Sequence, residues 1–393
     1  MKKQKRCLFG KSFSGKQLFS EVIPLIVLFL SFASCDITDN DDNSPLPPLP
    51  DDTALFISID DAKGIGLRVV NANSFELLDS LNTSPGVPWT IEFSPDHKTF
   101  YSAWNGIPSY TYNLYKIDLT TFYIQQSANL SAGEYAITSN KFKNYIIAYG
   151  SKGIGIFDHT SLNIVHRDTT LSTYHTRLTM SKNYNRFYFT KWLSSHLTGF
   201  GVYDLDSMKI TDEIIVFDDT KYEGLEDVDI VVSNDDRYLF FSGWTWLGGF
   251  SGYGSFFVVD LIQKRILKEF RVGAFSQIAI SPDGQSVYIS DPGGYLYMFP
   301  STRKVWRYDV KNNSINVLLN TPCQPDRIAV AEDNRTIFIS SWQFIIDGKH
   351  ADIIKVDAQT GRIVSSYSAP LDSSGALMHT VRNIKIGKYP NLF

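Results

Sequence analysis

Short runs of alternating apolar and polar residues make up most of the chain after about residue 54, and Gly, Asn, Asp or Pro bounds each run. A period of two is typical of β-strands that bury one face, and the aromatic content of 14% favours the same structure. No long stretch places apolar residues at the i, i+3, i+4 and i+7 positions of an amphipathic helix. The pattern therefore predicts an all-β chain.

An aspartate ends an apolar strand at intervals of 40 to 56 residues. A short acidic side chain at such a place accepts a hydrogen bond from the backbone two residues further on, which favours a tight turn. Because the copies are equivalent, they indicate a structural repeat rather than a catalytic site. The six aspartates are Asp118, Asp158, Asp204, Asp260, Asp309 and Asp357, and Asn71 is a seventh, amide version.

A second repeated unit consists of a strand, a turn and another strand. Together the two landmarks define units of four strands, A to D, in which a hairpin joins A to B and the aspartate ends C. Four-stranded units of about 40 to 50 residues are typical of β-propeller blades. The clear copies of the hairpin are 91–104, 178–192, 230–244, 278–291 and 328–342, and 135–150 is a looser copy.

The units resemble the blades of YVTN-type and quinoprotein-like propellers over nearly all of residues 54–393. The likeness rests on Ser281-Pro282-Asp283-Gly284, with Tyr288 four positions on, and on V-x-D strands such as the one that ends at Asp260. The resemblance implies the fold but no single activity, because that superfamily contains enzymes, binding proteins and scaffolds.

The number of blades follows from the two ends of the repeat. The unit that contains Asn71 has strands B, C and D, with B at 55–60, but no strand A precedes it. Residues 379–386 form a single alternating strand with no unit after it. Pairing of these two strands completes a seventh blade and leaves no open seam. We therefore expect a seven-bladed β-propeller of four-stranded antiparallel blades over residues 54–393, closed by the C-terminal strand.

The first 34 residues have the pattern of a lipoprotein signal peptide. A basic segment precedes the apolar run Val22–Phe32, which has the length of a signal h-region. Phe32-Ala33-Ser34-Cys35 resembles a bacterial lipobox, although Phe32 departs from the usual Leu. The resemblance implies that Cys35 becomes the new N-terminus and carries palmitate-type acyl chains that hold the protein on a membrane. An ordinary cleaved signal with an unmodified cysteine is the alternative.

Residues 35–53 are acidic and rich in proline, which predicts an extended tether. Acidic residues directly after the cysteine resemble the surface-export signals of Bacteroidota lipoproteins, which implies an outer-membrane protein exposed at the cell surface. A plain linker, with the body on the periplasmic face, is the alternative. Once Cys7 is removed and Cys35 is lipidated, Cys323 is left alone, so the sequence predicts no internal disulfide.

The charge of the body excludes nucleic acid as an expected partner. Residues 1–34 carry six basic residues and one acidic residue, so their removal changes the net charge from −4 to −9. An acidic surface repels phosphate backbones, and no basic stripe creates a local exception. The expected partners are the membrane, through the lipid anchor, and a polar small molecule, a glycan or another envelope protein.

The A strands of a propeller line its central channel, and the repeat places one polar residue of each blade just before the first inward apolar position. Such a set could bind carboxylate, phosphate or hydroxyl groups of a ligand. The alternative is a water-filled channel whose polar wall avoids the cost of burial. The aligned residues are Thr90, Glu134, Arg177, Asp229, Gln277, Arg327 and Asn383, with His175, Glu226, Asp326, His379 and Arg382 close by.

A tryptophan ends strand B in four units, at Trp104, Trp192, Trp244 and Trp342, and Tyr149 lies near this place in a fifth. A repeated aromatic residue is expected to pack between blades. Three others lie outside the repeat, in a long aromatic loop, and are better candidates for stacking against a sugar or an aromatic ligand. These are Trp246, Phe250 and Tyr253.

Sequence signatures of metal sites, phosphate loops and nucleophile elbows are absent, and no cofactor is expected. His175 and His379 are the weak candidates for acid–base catalysis. The leading hypothesis is therefore a non-enzymatic, surface-displayed binding module that captures a nutrient or partner for an outer-membrane transporter. One alternative, from the propeller resemblance, is a lactonase- or dehydrogenase-like enzyme that acts on sugar-derived or lactone substrates. The other is an envelope scaffold.

Overall fold

The computed structural model describes residues 46–392, except for several short segments. The exceptions are 62–63, 84–85, 95, 107–110, 131–133, 151–152, 171–176, 194–195, 218–220, 223–224, 249–250, 293–301, 322–323, 347–348 and 370–379. Over these described ranges the regular elements are β-strands and one 3-10 turn, Pro390–Leu392. No helix there is long and apolar enough to cross a membrane.

The strands form seven four-stranded antiparallel sheets in a ring, which confirms the predicted seven-bladed propeller. The first three blades consist of the following strands, numbered along the chain: β1 (Thr53–Asp61), β2 (Gly64–Asn71) and β3 (Leu77–Asn82); β4 (Val87–Phe93), β5 (Thr99–Gly106), β6 (Thr111–Asp118) and β7 (Ile124–Leu130); β8 (Glu134–Asn140), β9 (Tyr145–Gly150), β10 (Gly153–Asp158) and β11 (Ile164–Asp168).

The remaining four blades follow the same order. Their strands are β12 (Leu178–Met180), β13 (Arg186–Leu193), β14 (His196–Asp204) and β15 (Lys209–Ile215); β16 (Leu225–Val232), β17 (Tyr238–Gly248), β18 (Ser251–Asp260) and β19 (Arg265–Val272); β20 (Ile278–Ile280), β21 (Ser286–Ser290), β22 (Lys304–Asp309) and β23 (Ser314–Asn320); β24 (Pro325–Val330), β25 (Thr336–Ile346), β26 (Lys349–Asp357) and β27 (Ile363–Tyr367). The last strand, β28 (Thr380–Lys388), belongs to the first blade.

Ring closure occurs where the sequence predicts it. Strand β28 pairs antiparallel with β1, and Ile384 lies opposite Ile57. Both side chains are buried, together with residues of the seventh blade, so the contact is apolar as well as hydrogen-bonded. The sheet order of the first blade is therefore β28-β1-β2-β3.

The repeated aspartates form the turns between strands C and D. Asp118 Oδ1 accepts hydrogen bonds from the backbone N–H groups of Thr120 and Thr121, both at 2.8 Å. Asn71 Oδ1 does the same in the first blade. The residue four positions after Asn71, and after each of the six repeated aspartates, has a positive φ in the left-handed region. These residues are Phe75, Phe122, Leu162, Met208, Lys264, Asn313 and Gly361.

The hydrophobic core lies between neighbouring blades. Phe56 of the first blade packs edge to face against Phe93 of the second, with 4.9 Å between ring centroids. Phe200 and Phe241 make the same kind of contact between the fourth and fifth blades. Burial of each such ring stabilises the fold by about 1.5–3 kcal/mol. These aromatic side chains therefore help to hold neighbouring blades together.

The ordered body extends into the segment that the sequence assigns to the tether. Leu49 is 3% exposed and packs with residues of the first and seventh blades. Its backbone N–H donates to Asn73 Oδ1 at 3.0 Å, and Asn73 Nδ2 donates to the Leu49 carbonyl at 2.9 Å. The last residues of the 35–53 segment are therefore docked on the propeller.

Candidate functional site

The first strand of each sheet contacts the first strand of the next sheet all round the ring, so these seven strands line the centre. They are β4, β8, β12, β16, β20, β24 and β28. The A–B and C–D turns lie on one face of the propeller, here called the turn face. The B–C and D–A connections lie on the opposite face, here called the loop face.

The predicted polar set lies near the loop face, at one register in six blades. Asp229 opposes Ser242, Thr90 opposes Ala103, and Asn383 opposes Ser58. Arg177, Gln277 and Arg327 occupy the same place, since each backbone bonds to the corresponding residue of strand B.

The predicted register of Glu134 was wrong. The pairing of β8 with β9 shifts between Glu134 and Ala136, so Ala136 takes the common position opposite Tyr149 and Glu134 pairs with Gly150. The same shift occurs between Pro88 and Thr90 in the second blade and between Asp227 and Asp229 in the fifth, so Glu134 is equivalent to Pro88 and Asp227. The error therefore lay in the alignment of the looser copy of the hairpin, in which Asn140 begins the A–B turn. The side chain of Glu134 lies outside the described part of the structure.

Arg177 and Asp229 connect three blades. Arg177 Nε donates to the carbonyl of Val228 in the fifth blade at 2.7 Å. Asp229 Oδ1 accepts from its neighbour Ile230 at 2.9 Å, and Oδ2 accepts from the backbone N–H of Ile278 in the sixth blade at 3.0 Å. Burial raises the pKa of Asp229, since its effect exceeds the opposing effects of these N–H groups and of the nearby arginines.

Gln277 and Arg327 continue the series into the seventh blade. Arg327 Nη1 donates to Gln277 Oε1, and Arg327 Nε lies 3.8 Å from Asp326 Oδ1. Ser290 Oγ donates to the Asp326 carbonyl. From the fourth blade to the seventh, polar groups at this register thus bond to the next blade. These residues therefore join neighbouring blades to one another, a role that the sequence analysis did not predict.

The other predicted residues are scattered. The Arg382 guanidinium lies over the ring of Trp89, which is 41% exposed, with 5.1 Å to the ring centroid. Tyr253 is half-buried and lies against the guanidinium of Arg271 at 3.3 Å. Glu226 opposes Trp244 in the pairing of β16 with β17. The structure therefore does not bring Tyr253 and the channel residues into one described contact.

The repeated tryptophans pack as expected where their side chains are described. Trp104 is buried in the core between the first and second blades, where it stacks on Tyr115 at 3.9 Å between ring centroids. Trp244 is buried and stacks on Phe275 at 4.9 Å. Trp192 is half-buried against the core between the fourth and fifth blades.

Several predictions fall outside the described residues. Cys35, His175, Phe250 and His379 are among them, as are the side chains of Trp246 and Trp342. The described residues contain no group of three or more His, Cys, Asp or Glu side chains arranged to hold a metal ion.

A cavity that sequence reasoning missed lies at the turn face, between the second, third and fourth blades. Its volume is about 400 Å³. Glu92 lies in its wall and forms an ion pair with Lys385 at 3.2 Å. Lys141 and Lys182 also line the cavity. The remaining lining residues are Phe93, Ser94, His97, Thr138, Ser139, Asn140, Thr179, Met180 and Ser181. The wall therefore combines serine, threonine, asparagine and lysine residues with the apolar Phe93 and Met180.

Comparison with known proteins identifies the fold and not a family. No family model matches the chain, and no curated protein matches it. The chain is similar to hydrazine synthase from Kuenenia stuttgartiensis, at 13% identity and a TM-score of 0.52, over 69% of this chain and 77% of that chain. It is also similar to the β-propeller domain of Cps50 (Swd1) from Myceliophteria thermophila, at 9% identity and a TM-score of 0.54, over 72% of this chain and 87% of that chain. These identities support the propeller fold alone.

Proposed function

We propose that this chain is a membrane-anchored lipoprotein whose propeller is a non-catalytic binding module for a small polar molecule, and that the turn-face cavity is its binding site. The observation that carries the proposal is the cavity itself, an open depression of about 400 Å³ lined by serine, threonine, asparagine and lysine residues. Small-molecule sites are concave and hold a few convergent polar groups of this kind.

The scaffold around the cavity suits binding without large movement. Thr138 and Thr179 lie at one register of neighbouring inner strands, opposite Ile147 and Tyr188 respectively. Side chains on paired strands are held more rigidly than those on loops, and a preorganised wall reduces the entropy lost on binding. A ligand at this place would contact three blades at once.

The anchoring part of the proposal comes from the sequence. The apolar run, the lipobox-like residues before Cys35 and the acidic segment after it support a body displayed on the outer membrane, with the surface as the expected side. Such a place suits the capture of a nutrient for a neighbouring transporter.

Binding is tested by following the melting temperature of the detergent-solubilised full chain against glycans, sugar acids, siderophores, quinones and divalent ions. A ligand that binds only the native state raises the melting temperature. Thr138→Phe, which places a ring in the cavity, should abolish the rise. The matched control is Ala279→Phe, at the same register of the sixth blade and outside the cavity wall. A rise that survives Thr138→Phe would place the ligand elsewhere.

Anchoring is tested by labelling expressing bacterial cells with radioactive palmitate. The wild-type chain should take up label and the Cys35→Ser variant should not. Proteinase K added to intact cells should degrade the wild-type body if it lies at the surface. Equal labelling of both chains would overturn the lipid anchor.

A further inference from the structure

We infer that the turn-face cavity is an oxyanion site, which binds the carboxylate or phosphate group of a small hydroxylated molecule through Lys141, Lys182 and the amide of Asn140. This inference rests on the proposed function, because it names the ligand class of the same cavity.

The lysines are departures from the repeat. Each A–B turn begins at the residue aligned with Ser94 of the second blade, which is Asn140 in the third and Ser181 in the fourth, and the next residue is a lysine in these two blades. The fifth, sixth and seventh blades have Asn234, Pro282 and Glu332 at this place. The turn therefore forms without a lysine at this place. The third and fourth blades are neighbours, each has a lysine there, and both lysines line the cavity.

The third residue of the turn departs from the repeat in the same two blades. In the second blade Ser94 Oγ donates to Asp96 Oδ1 at 2.6 Å, and in the fifth Ser233 Oγ donates to Asp235 Oδ1 at 2.6 Å. Phe142 replaces this aspartate in the third blade. In the fourth blade Asn183 replaces it. Two of the three turns beside the cavity thus gain a cation and lose an acid, and a local break in a structural rule is expected where a protein has a function to serve.

Asn140 supplies a donor that the turn does not use. Its Oδ1 accepts the backbone N–H groups of Phe142 and Lys143, at 3.1 and 2.8 Å, which fixes the orientation of the amide. The side chain is 1% exposed, and within the described residues Nδ2 has no hydrogen-bond acceptor. A buried N–H without a partner costs free energy, and an oxygen of a ligand in the adjoining cavity would remove this cost.

The charge of the wall favours an anion. Glu92 is already paired with Lys385 at 3.2 Å. Among the described residues Lys141 makes no ion pair, and its Nζ lies over the ring of Phe142, 5.1 Å from the centroid. Lys182 Nζ donates to Asn234 Oδ1 at 2.6 Å, which leaves two further N–H groups for a ligand. Desolvation lowers the pKa of Lys182 against the opposite effect of the Glu332 and Asp283 carboxylates, and an anion beside the lysine would further favour its charged form.

The rest of the wall sets the size and character of the ligand. Thr138, Ser139 and Thr179 line the cavity beside the cations. Hydroxyl groups bind other hydroxyl groups well, since each one donates and accepts. A volume of about 400 Å³ holds a molecule of monosaccharide or disaccharide size. A sugar acid and a sugar phosphate share the chemistry that this wall recognises.

The experiment compares three probes that share one sugar ring, by calorimetric titration of the detergent-solubilised full chain. The probes are glucuronate, glucose 6-phosphate and neutral glucose. We expect at least one anionic probe to bind about tenfold or more tightly than glucose, since a charge-assisted bond replaces a neutral one. The stronger of the two anionic probes identifies carboxylate or phosphate as the preferred group.

Two variants and a matched control identify the donors. Lys182→Gln should weaken binding of the anionic probe about tenfold. Asn140→Asp keeps the oxygen that holds the turn but replaces the N–H donor by a second anionic oxygen, and it should abolish binding. Lys143→Gln is the control: Lys143 belongs to the same turn, is ion-paired with Asp206 at 2.6 Å, and does not line the cavity. Unchanged unfolding curves for all three variants establish that the fold is intact.

The outcomes separate this inference from the proposed function. Equal affinity for glucose and both anions, with binding blocked by Thr138→Phe, would overturn the oxyanion site and leave the binding module standing. Equal weakening by Lys143→Gln and Lys182→Gln would reduce the effect to general surface charge and overturn the inference. No binding by any of the three probes, together with no response in the wider ligand screen, would overturn both.

Discussion

The ammonium group of Lys355 in the seventh blade donates a hydrogen bond to the backbone oxygen of Ala72 in the first blade, over 3.2 Å. Lys355 is buried where the seventh blade meets the first, and desolvation lowers its pKa. Lys116 makes the same contact between the second and third blades, to the Thr160 carbonyl at 2.9 Å. The seam where the ring closes therefore uses the same contact as an internal boundary between blades.

Lys355→Met should lower the free energy of unfolding by about 1.5–3 kcal/mol, since a bond from a charged donor is lost and the Ala72 carbonyl loses that partner. Urea denaturation measures the change. Lys116→Met is the internal comparison and should cost a similar amount. A negligible loss for Lys355→Met beside a clear loss for Lys116→Met would mean that the seam is held by the strands alone.

Ile384→Ala should destabilise the protein by about 2–5 kcal/mol, because it leaves a cavity opposite Ile57 in the closing pair of strands. The control is Lys388→Ala on the same strand, whose exposed ion pair with Asp52 at 3.0 Å contributes about 1 kcal/mol or less. Denaturant unfolding of both variants gives the comparison. Similar small losses for the two would contradict a structural role for this strand.

Asp229→Ala should cost about 2–4 kcal/mol, because the buried N–H groups of Ile230 and Ile278 lose their acceptor. The pH dependence has a definite sign. Burial raises the pKa of Asp229 in the folded state, so the folded protein holds this proton more tightly than the unfolded chain. Stability from the protonated group is present at low pH and falls as pH rises from the unfolded pKa through the folded one.

The test of that sign is the unfolding free energy of wild type and Asp229→Asn across this range. The wild type should lose stability relative to the variant as the pH rises from about 3 to 7. A difference that runs in the opposite direction would show that the two guanidinium groups dominate and that the folded pKa is lowered.

Asp158 should show the opposite dependence on pH. Its carboxylate accepts the N–H groups of Ser161 and Thr160, and these bonds lower its pKa in the folded state. Stability from the ionised form is therefore present above the unfolded pKa and lost as the pH falls through the folded one. Asp158→Asn should keep the turn, as Asn71 does in the first blade, and remove this part of the acid sensitivity. Asp158→Ala should cost about 1–2 kcal/mol at neutral pH.

The measurement is the denaturant midpoint of each variant between pH 2.5 and 7. An alanine variant as stable as the asparagine variant would mean that the side-chain bonds do not hold this turn.

Local sequence signals were sufficient for most of the fold. The alternation of residues, the aspartate at each C–D turn and the missing strand A before Asn71 together predicted the blades and their closure. These signals work because each depends on residues close together in the chain or on exact repetition. The register of Glu134 was missed because the third blade has Asn140 where its neighbours begin the A–B turn with a serine, so the looser copy of the hairpin was aligned two residues out of place.

The candidate site was harder to predict because its contacts join distant parts of the chain. Asp229 and Ile278 belong to different blades, so the sequence placed Asp229 in the channel wall but did not show its bond to the next sheet. Lys141 and Lys182 resemble ordinary turn residues in the sequence. Comparison of the turns with one another was the available signal, since lysine occupies this position in two neighbouring copies.

The pairing of β1 with β28 also affects how the chain must be made. Roughly 320 residues separate these strands, and a ribosome that adds about 5–20 residues per second needs on the order of 15 to 60 s to synthesise them. During that interval β1 has an unpaired edge that is able to associate with other nascent chains. Completion of the first sheet therefore waits until β28 has been synthesised, and a chaperone that shields β1 until β28 emerges would raise the yield of folded protein.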